Sequence, residues 1–383
     1  MKIARVTAIP LNVPLHIKLV GLDHKTTLAC CFVEVETDTG ILGHGLTSIT
    51  EEDVIAQIVN GVAGPAILGD DPLAHERVWD KLYWTMMPRG QTGYAAHALA
   101  AIDIALWDIK GKAYGEPVWR LLGGARERAP VYATFGFGFF DREQLAAAAK
   151  LWVGQGHRRI KMTVGDGALR NRDKRPPMDV IREDAARVRA VREAVGPDIE
   201  LYIDGNCNLD LYHASRLVEM IKPCGISFFE EPLTQNDAAQ MAHLRRSTGM
   251  ALACGQNEGL AFRFRDLLLQ QAVDFVQPNV AITGGFTQCL RIAGLAAAFN
   301  VSVANGGAWG FHNMHLQAGV ANGTLVEHHY LAVELCRQIY RDLPTPSDGY
   351  FTMPKAPGLG FEPDHDAIRE IAKMPLSKGS GKG

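Results

Sequence analysis

A (β/α)8 TIM-like barrel of the α/β class, preceded by an α+β capping domain, is the architecture that this sequence predicts. Three features carry it. The first third is a strand meander followed by a helical stretch, the rhythm changes after Leu-Leu-Gly-Gly at 121–124, and eight short apolar segments then alternate with helical ones. Polar residues close these segments at positions 204, 230, 256, 279, 305 and 327, at intervals of 22 to 26 residues, about the length of one βα unit. The alternative is an open doubly wound sheet, but no GxGxxG or Walker sequence anchors a nucleotide.

Residues 1–47 alternate apolar and polar side chains, with a turn at Asp38-Thr39-Gly40, and read as strands. From 51 to 122 the apolar period becomes helical: Ala98, Ile102, Ala105 and Leu106 share one face, and Gly115 with Pro117 forms the stop. The eight barrel strands are VYAT, RIKM, ELYID, ISFFE, ALACG, DFVQ, VSVAN and LVEHH. The expected domains are 1–125 (cap), 126–345 (barrel) and 346–383, a Pro/Gly-rich segment returning to the cap and ending in a disordered SKGSGKG tail.

With 383 residues, 47% hydrophobic and 21% charged, the chain has enough material for a large core. A net charge of -3 gives no basic footprint, which argues against nucleic acid and anionic lipid as partners. The seven cysteines are odd in number and contain no CxxC pair, which points to a reducing cytoplasm rather than a disulfide framework or a zinc ribbon. No apolar run reaches membrane-spanning length, and the amino terminus has no signal-peptide core.

Side chains at the carboxyl ends of barrel strands share one mouth. Here they are Lys161, Asp204, Glu230, Gln256, Asn279, Asn305 and Glu327. Asp204 and Glu230, with an oxygen donor from the next strand, make a half-shell of hard ligands suited to Mg²⁺. That third donor is either Gln256 or Glu258, since an extended 256–258 directs both side chains the same way.

The motifs VEVETDTGILGHG, AAIDIALWDIKGKAYGEPVWRLLGG, RIK, IDGN, FFEEP, GQN, PNVAITGG and MPKAPGLGFEP resemble the enolase superfamily, in its mandelate racemase and sugar-acid dehydratase branch. The resemblance implies that Asp204, Glu230 and Gln256 ligate Mg²⁺ and that Lys161 is an acid/base. It also implies a cap loop around Gly21–Lys25, including His24, that closes on a small carboxylate substrate, and a homo-oligomeric enzyme. Arg159, two residues before Lys161 on the same strand face, lowers the lysine pKa by like-charge repulsion on this reading.

The sequence departs from that branch at Gln256, Asn279 and Asn305, where Glu, Asp and His are usual, so the second acid/base dyad is missing. The expected activity is α-proton abstraction from a hydroxy-carboxylate followed by β-elimination, an acid-sugar dehydratase. Racemisation or epimerisation with a replacement acid such as His312, or less favourably His315, is the alternative, and a catalytically retired binding protein is the third reading. Asn206, Asn279, Asn305 and His24 are the expected substrate contacts. Glu231 and Glu327 read as structural, and His328 and His329 as no metal pair, because consecutive strand residues point apart.

Overall fold

The structure, a computed structural model, describes residues 1–47 and 51–377. The last six residues of the expected disordered tail, 378–383, lie outside this range. Strand β1 (Ile3–Leu19) pairs antiparallel with β2 (Leu22–Thr37), which pairs antiparallel with β3 (Leu42–Thr47). The alternation seen in the sequence does its work here: Leu11, Val13, Leu15 and Ile17 are buried while the residues between them face outward or lie at the boundary.

Helix α2 (Tyr94–Tyr114) covers the meander, and α1 (His75–Gly90) packs against α2. α2 is buried on most of its circumference, with Leu99, Ile102, Ala105 and Ile109 in the cap's own core. Full burial of each larger side chain contributes about 1.5–3 kcal/mol. It approaches β3 closely because Gly43 and Gly45 have no side chains; a Cβ at either would collide with the carbonyl oxygen of Ala105 or Ala101. Gly115 ends α2 at φ 70°, as its sequence position predicted.

Eight parallel strands follow: β4 (Arg128–Gly136), β5 (Arg159–Thr163), β6 (Glu200–Asp204), β7 (Ile226–Glu230), β8 (Leu252–Cys254), β9 (Phe275–Val276), β10 (Ser302–Val303) and β11 (Val326–His329). Each pairs with its neighbour in order, and β11 pairs with β4. The ring closes where Asn305 N–H donates to Leu325 O at 2.8 Å and Thr324 N–H to Val303 O at 2.8 Å.

Within the barrel, alternate residues form stacked layers. Towards the amino ends lies an aromatic floor of Tyr132, Tyr202, Phe228 and Phe275 with Leu325. Tyr202 stacks on Phe228 at 4.0 Å and 4°, and Tyr132 meets Tyr202 edge-on at 5.5 Å. Above the floor is a layer of polar side chains.

The carboxyl-terminal segment ties both parts together. Tyr350–Thr352 pairs antiparallel with the start of β4, Gly358 O accepts from Val118 N–H at 2.8 Å, and Leu359 N–H donates to Asp108 Oδ1 at 2.9 Å. All seven cysteines are free, and among the described residues no helix is long and apolar enough to cross a membrane.

Candidate active site

Lys161 stands at the centre of the polar layer, fully buried on β5. Its Nζ lies 2.7 Å from Glu230 Oε2, 3.0 Å from Glu327 Oε1 and 3.4 Å from Asp204 Oδ2, and 5.2 Å above the Tyr132 ring of the floor. Three carboxylates crowd one ammonium where water is scarce, and burial, joined by Asp204 and Glu327 against the opposing pull of Lys161, raises the Glu230 pKa well above its ordinary value. Burial by itself lowers the lysine pKa, but Glu230 and Glu327, then Tyr132 and Asp204, outweigh it and hold Lys161 well above its ordinary value.

This corrects the expectation that Arg159 lowers the Lys161 pKa. Arg159 begins β5, two residues and about 6.6 Å along the strand, where its Nε pairs with Glu200 Oε1 at 3.2 Å. It lines a cavity of about 600 Å³ at the amino end of the barrel, with Arg126, Arg128, Glu200 and Tyr350. The aromatic floor separates it from the mouth, so it takes no part in the site.

Asp204 and Glu230 are register partners on β6 and β7. Asp204 Oδ1 accepts from Asn206 N–H at 2.8 Å. Glu230 Oε2 takes Lys161 and Gln277 Nε2, the latter at 2.9 Å, whereas its buried Oε1 has no partner. Gly306 lies directly over that oxygen: a Cβ there would stand 2.9 Å from Glu230 Oε1. Among the described residues, where Lys161 stands between the carboxylates, no group of three or more His, Cys, Asp or Glu side chains converges on a metal-holding geometry. The orphaned buried oxygen under a glycine cradle is nonetheless the hard-donor chemistry that a divalent cation takes.

Gln256 is turned by Glu231. Its Nε2 donates to Glu231 Oε2 at 3.1 Å, and Glu231 also accepts from Asn257 Nδ2 at 2.5 Å, Asn236 Nδ2 at 3.0 Å and Cys207 Sγ at 3.3 Å. A carboxylate can only accept, so the amide must present its nitrogen to Glu231 and its oxygen elsewhere. This gives a physical reason for an amide at 256, because a Glu there would face Glu231 charge to charge. Glu258 is committed to other partners, with Arg263 Nε at 2.8 Å and Asn236 Nδ2 at 3.2 Å. Of the two candidates, Gln256 retains the open oxygen.

The expected substrate contacts Asn279 and Asn305 are saturated by backbone groups and by Asn313 instead. Asn279 Nδ2 donates to Gly306 O at 2.7 Å and Gly307 O at 2.8 Å, while its Oδ1 accepts from Ala281 N–H and Asn313 Nδ2, both at 2.9 Å. Asn305 Nδ2 donates to Gly306 O at 3.0 Å and Ala308 O at 3.2 Å, and its Oδ1 accepts from Glu327 N–H at 2.9 Å. Together they fasten the 306–308 loop over the mouth, a task that needs amide donors and that Asp could not perform.

His312 does not refill the missing imidazole. It lies on α3 (Gly310–Gly319), fully buried, with its ring 5.3 Å from Phe361 and 5.8 Å from Tyr340, and neither ring nitrogen has a partner. Burial, then His44 and His315, push its pKa well down. It faces the carboxyl-terminal segment rather than the mouth, and His315 likewise bonds Leu359 O at 3.0 Å. His24 is half-buried on β2 and stacks on Phe139 at 4.5 Å and 16°. Asn206 is exposed at φ 45° beside Asp204.

Thr134 and Gln277 join the layer without having been singled out, and His329, considered from the sequence only as half of a metal pair, lies beside it. Thr134 Oγ1 donates to Glu327 Oε1 at 2.5 Å. Strand parity carried the signal: Gln277 is two residues from Asn279, and His329 two from Glu327. Glu327 also accepts Ala308 N–H at 2.7 Å. Although burial raises its pKa, Lys161, His329, Thr134 and Ala308 bring it below the usual value, so it is ionised.

Residues 3–123 match the mandelate racemase / muconate lactonizing enzyme N-terminal domain, and residues 144–367 match the enolase C-terminal domain-like family. The chain is 28% identical to arabinonate dehydratase of Saccharolobus solfataricus, covering 86% of each chain. It is 30% identical to D-galactonate dehydratase of Pectobacterium atrosepticum, covering 89% of this chain and 91% of that one. Among solved structures, a racemase from Streptomyces coelicolor with bound magnesium superposes with a TM-score of 0.86 at 27% identity, covering 96% of this chain and 99% of that one. A 3,6-anhydro-D-galactonate cycloisomerase from Zobellia galactanivorans gives 0.84 at 29% identity, covering 99% and 100%.

Proposed function

Since this chain belongs to the mandelate racemase / muconate lactonizing enzyme family, whose members similar to it include acid-sugar dehydratases and cycloisomerases, we propose that it is a Mg²⁺-dependent acid-sugar dehydratase. The observation that carries this reading is the unpartnered, buried Glu230 Oε1 in a layer where three carboxylates share one ammonium. Asp204, Glu230 and the Gln256 carbonyl oxygen would hold the ion. When bound, Mg²⁺ supplies positive charge that stabilises the developing charge on the substrate carboxylate and competes with the ammonium for the same carboxylates.

Lys161 is the one amine in the layer. As the free amine it takes the α-proton, the C–H electron pair moves onto the substrate carboxylate as an enediolate, and that pair returns to form the new C=C bond as the β C–O bond breaks. The ammonium then gives its proton to the departing hydroxide. Water leaves, Lys161 returns to the amine, and the enol product tautomerises to a 2-keto acid. One group on one face suffices for this sequence. Racemisation needs a second acid/base opposite, where positions 279 and 305 carry saturated amides.

The test is a panel of aldonic acids including D-galactonate, arabinonate and L-rhamnonate, assayed with Mg²⁺ for 2-keto products. We expect EDTA-sensitive formation from at least one member. No product from any member, with Mg²⁺ binding shown by calorimetry, would overturn the reading.

A further inference from the structure

On β11, Glu327 points into the polar layer, 3.0 Å from Lys161 Nζ, so strand alternation sends the next inward side chain, His329, to the mouth. Glu327 is fully occupied as an acceptor, by Thr134 Oγ1, Ala308 N–H and Lys161. An ionised carboxylate has no proton with which to grip a substrate oxygen. The residue two positions on does.

The His329 ring is held at both ends. Its Nδ1 accepts Ala332 N–H at 3.3 Å, in the first turn of the helix α4 (Tyr330–Ile339), and the ring meets Phe137 tilted at 52° with centroids 5.1 Å apart. An Nδ1 that accepts from a backbone amide carries no proton, so the neutral ring must carry it on Nε2. Phe137 stacks in turn on Phe139 at 5.4 Å, and Phe139 on His24 of the cap hairpin, which places the ring at the seam where cap and barrel meet over the site.

Building on the dehydratase reading, we propose that His329 presents its Nε2–H into the barrel mouth as a neutral hydrogen-bond donor to the substrate oxygen on which negative charge develops. Burial is the largest influence on its charge state and favours the neutral ring, Lys161 adds to this, and Glu327 and Asp204 oppose it; the balance lowers its pKa. A neutral imidazole anchored at a helix amino terminus and acting as electrophile is an established chemical solution for stabilising enediolates.

Two substitutions separate this role from a structural one. His329→Asn keeps an acceptor for Ala332 N–H and removes the Nε2 donor; His329→Gln keeps a donor near Nε2 and loses the cap. We expect His329→Asn to lower kcat roughly 10²–10³-fold, the usual loss on removing one oxyanion donor, with KM and thermal midpoint little changed. His329→Gln should retain kcat within about tenfold of wild type and show the lower midpoint. A purely capping histidine gives the opposite ranking, which would overturn the proposal, as would wild-type turnover by His329→Asn. Independently of activity, ¹⁵N shifts of the histidine-labelled, metal-free protein at pH 7 should show His329 protonated on Nε2 alone; a proton on Nδ1 also overturns it. If the expected tautomer is present but wild type turns over no aldonic acid, the dehydratase reading falls and takes this use of the ring with it. If wild type is active and His329→Asn is equally so, His329 alone is refuted.

Discussion

The mouth of this barrel has two unlike halves. Along β5, β6, β7 and β11 the strand-end side chains are Lys161, Asp204, Glu230 and Glu327, all ionisable and buried, with one carboxylate oxygen left without a partner. On the side of β9 and β10 they are Asn279 and Asn305, also buried, with their amides bonded to the 306–308 loop. Both sides stand on the same layered barrel. The contrast teaches that burial alone does not mark a reactive group: the half with crowded carboxylates and an open oxygen is the one to which the proposed cation and proton transfer are assigned, and the half whose polar atoms are saturated holds a loop in place.

The largest expected effect breaks the charged half. Lys161→Met should lower 2-keto acid formation by about 10²–10⁴-fold. It should also destabilise the metal-free protein by roughly 3–5 kcal/mol, because the facing carboxylates lose their counter-charge; denaturant unfolding reads the second effect. On the saturated half, Asn279→Asp puts a carboxylate against the Gly306 and Gly307 carbonyls and should cost about 1–3 kcal/mol without producing α-epimerised product, as chiral chromatography would show.

A third change tests the join between the halves. Gln256→Glu faces Glu231 and should destabilise the metal-free protein by about 1–3 kcal/mol, while Mg²⁺ raises its thermal midpoint more than that of wild type. Acid stability follows from two histidines not assigned a role in proton transfer. Burial pushes His97 and His315 down to about 4. Because the folded state keeps them neutral, their stabilisation is present above the unfolded pKa near 6.5 and is lost as pH falls towards 4; the limit is roughly 3 kcal/mol for each. Unfolding midpoints should therefore drop steeply across that window, and a flat profile would count against it. The smallest effect is expected at Arg159→Ala, whose ion pair with the largely exposed Glu200 lies under the floor: turnover should stay within about twofold, and stability within about 1 kcal/mol.

Much of this was legible in the chain. The spacing of strand ends placed Asp204 and Glu230 side by side, and the stop at Gly115 fell where α2 ends. Alternation correctly put Arg159 and Lys161 on one face, but could not show that an aromatic layer from other strands lies between their side chains. The charge state of Lys161 depends on Glu327, which is distant in sequence and adjacent only once the barrel closes. His312 was readable as a helix residue, yet which face of α3 meets the mouth is set by packing against Phe361 and Tyr340. His329 was within reach of the sequence, since it shares parity with Glu327, but was weighed only against its neighbour His328 as a metal pair.

The account turns on whether the charged half holds a divalent cation through Glu230. Calorimetric titration of metal-free protein with Mg²⁺, comparing wild type with Glu230→Gln and Glu258→Gln, tests this most directly. The expected result is one saturable site in wild type, lost in Glu230→Gln and kept in Glu258→Gln. No saturable binding in wild type, or loss on changing Glu258 while Glu230→Gln still binds, would contradict it.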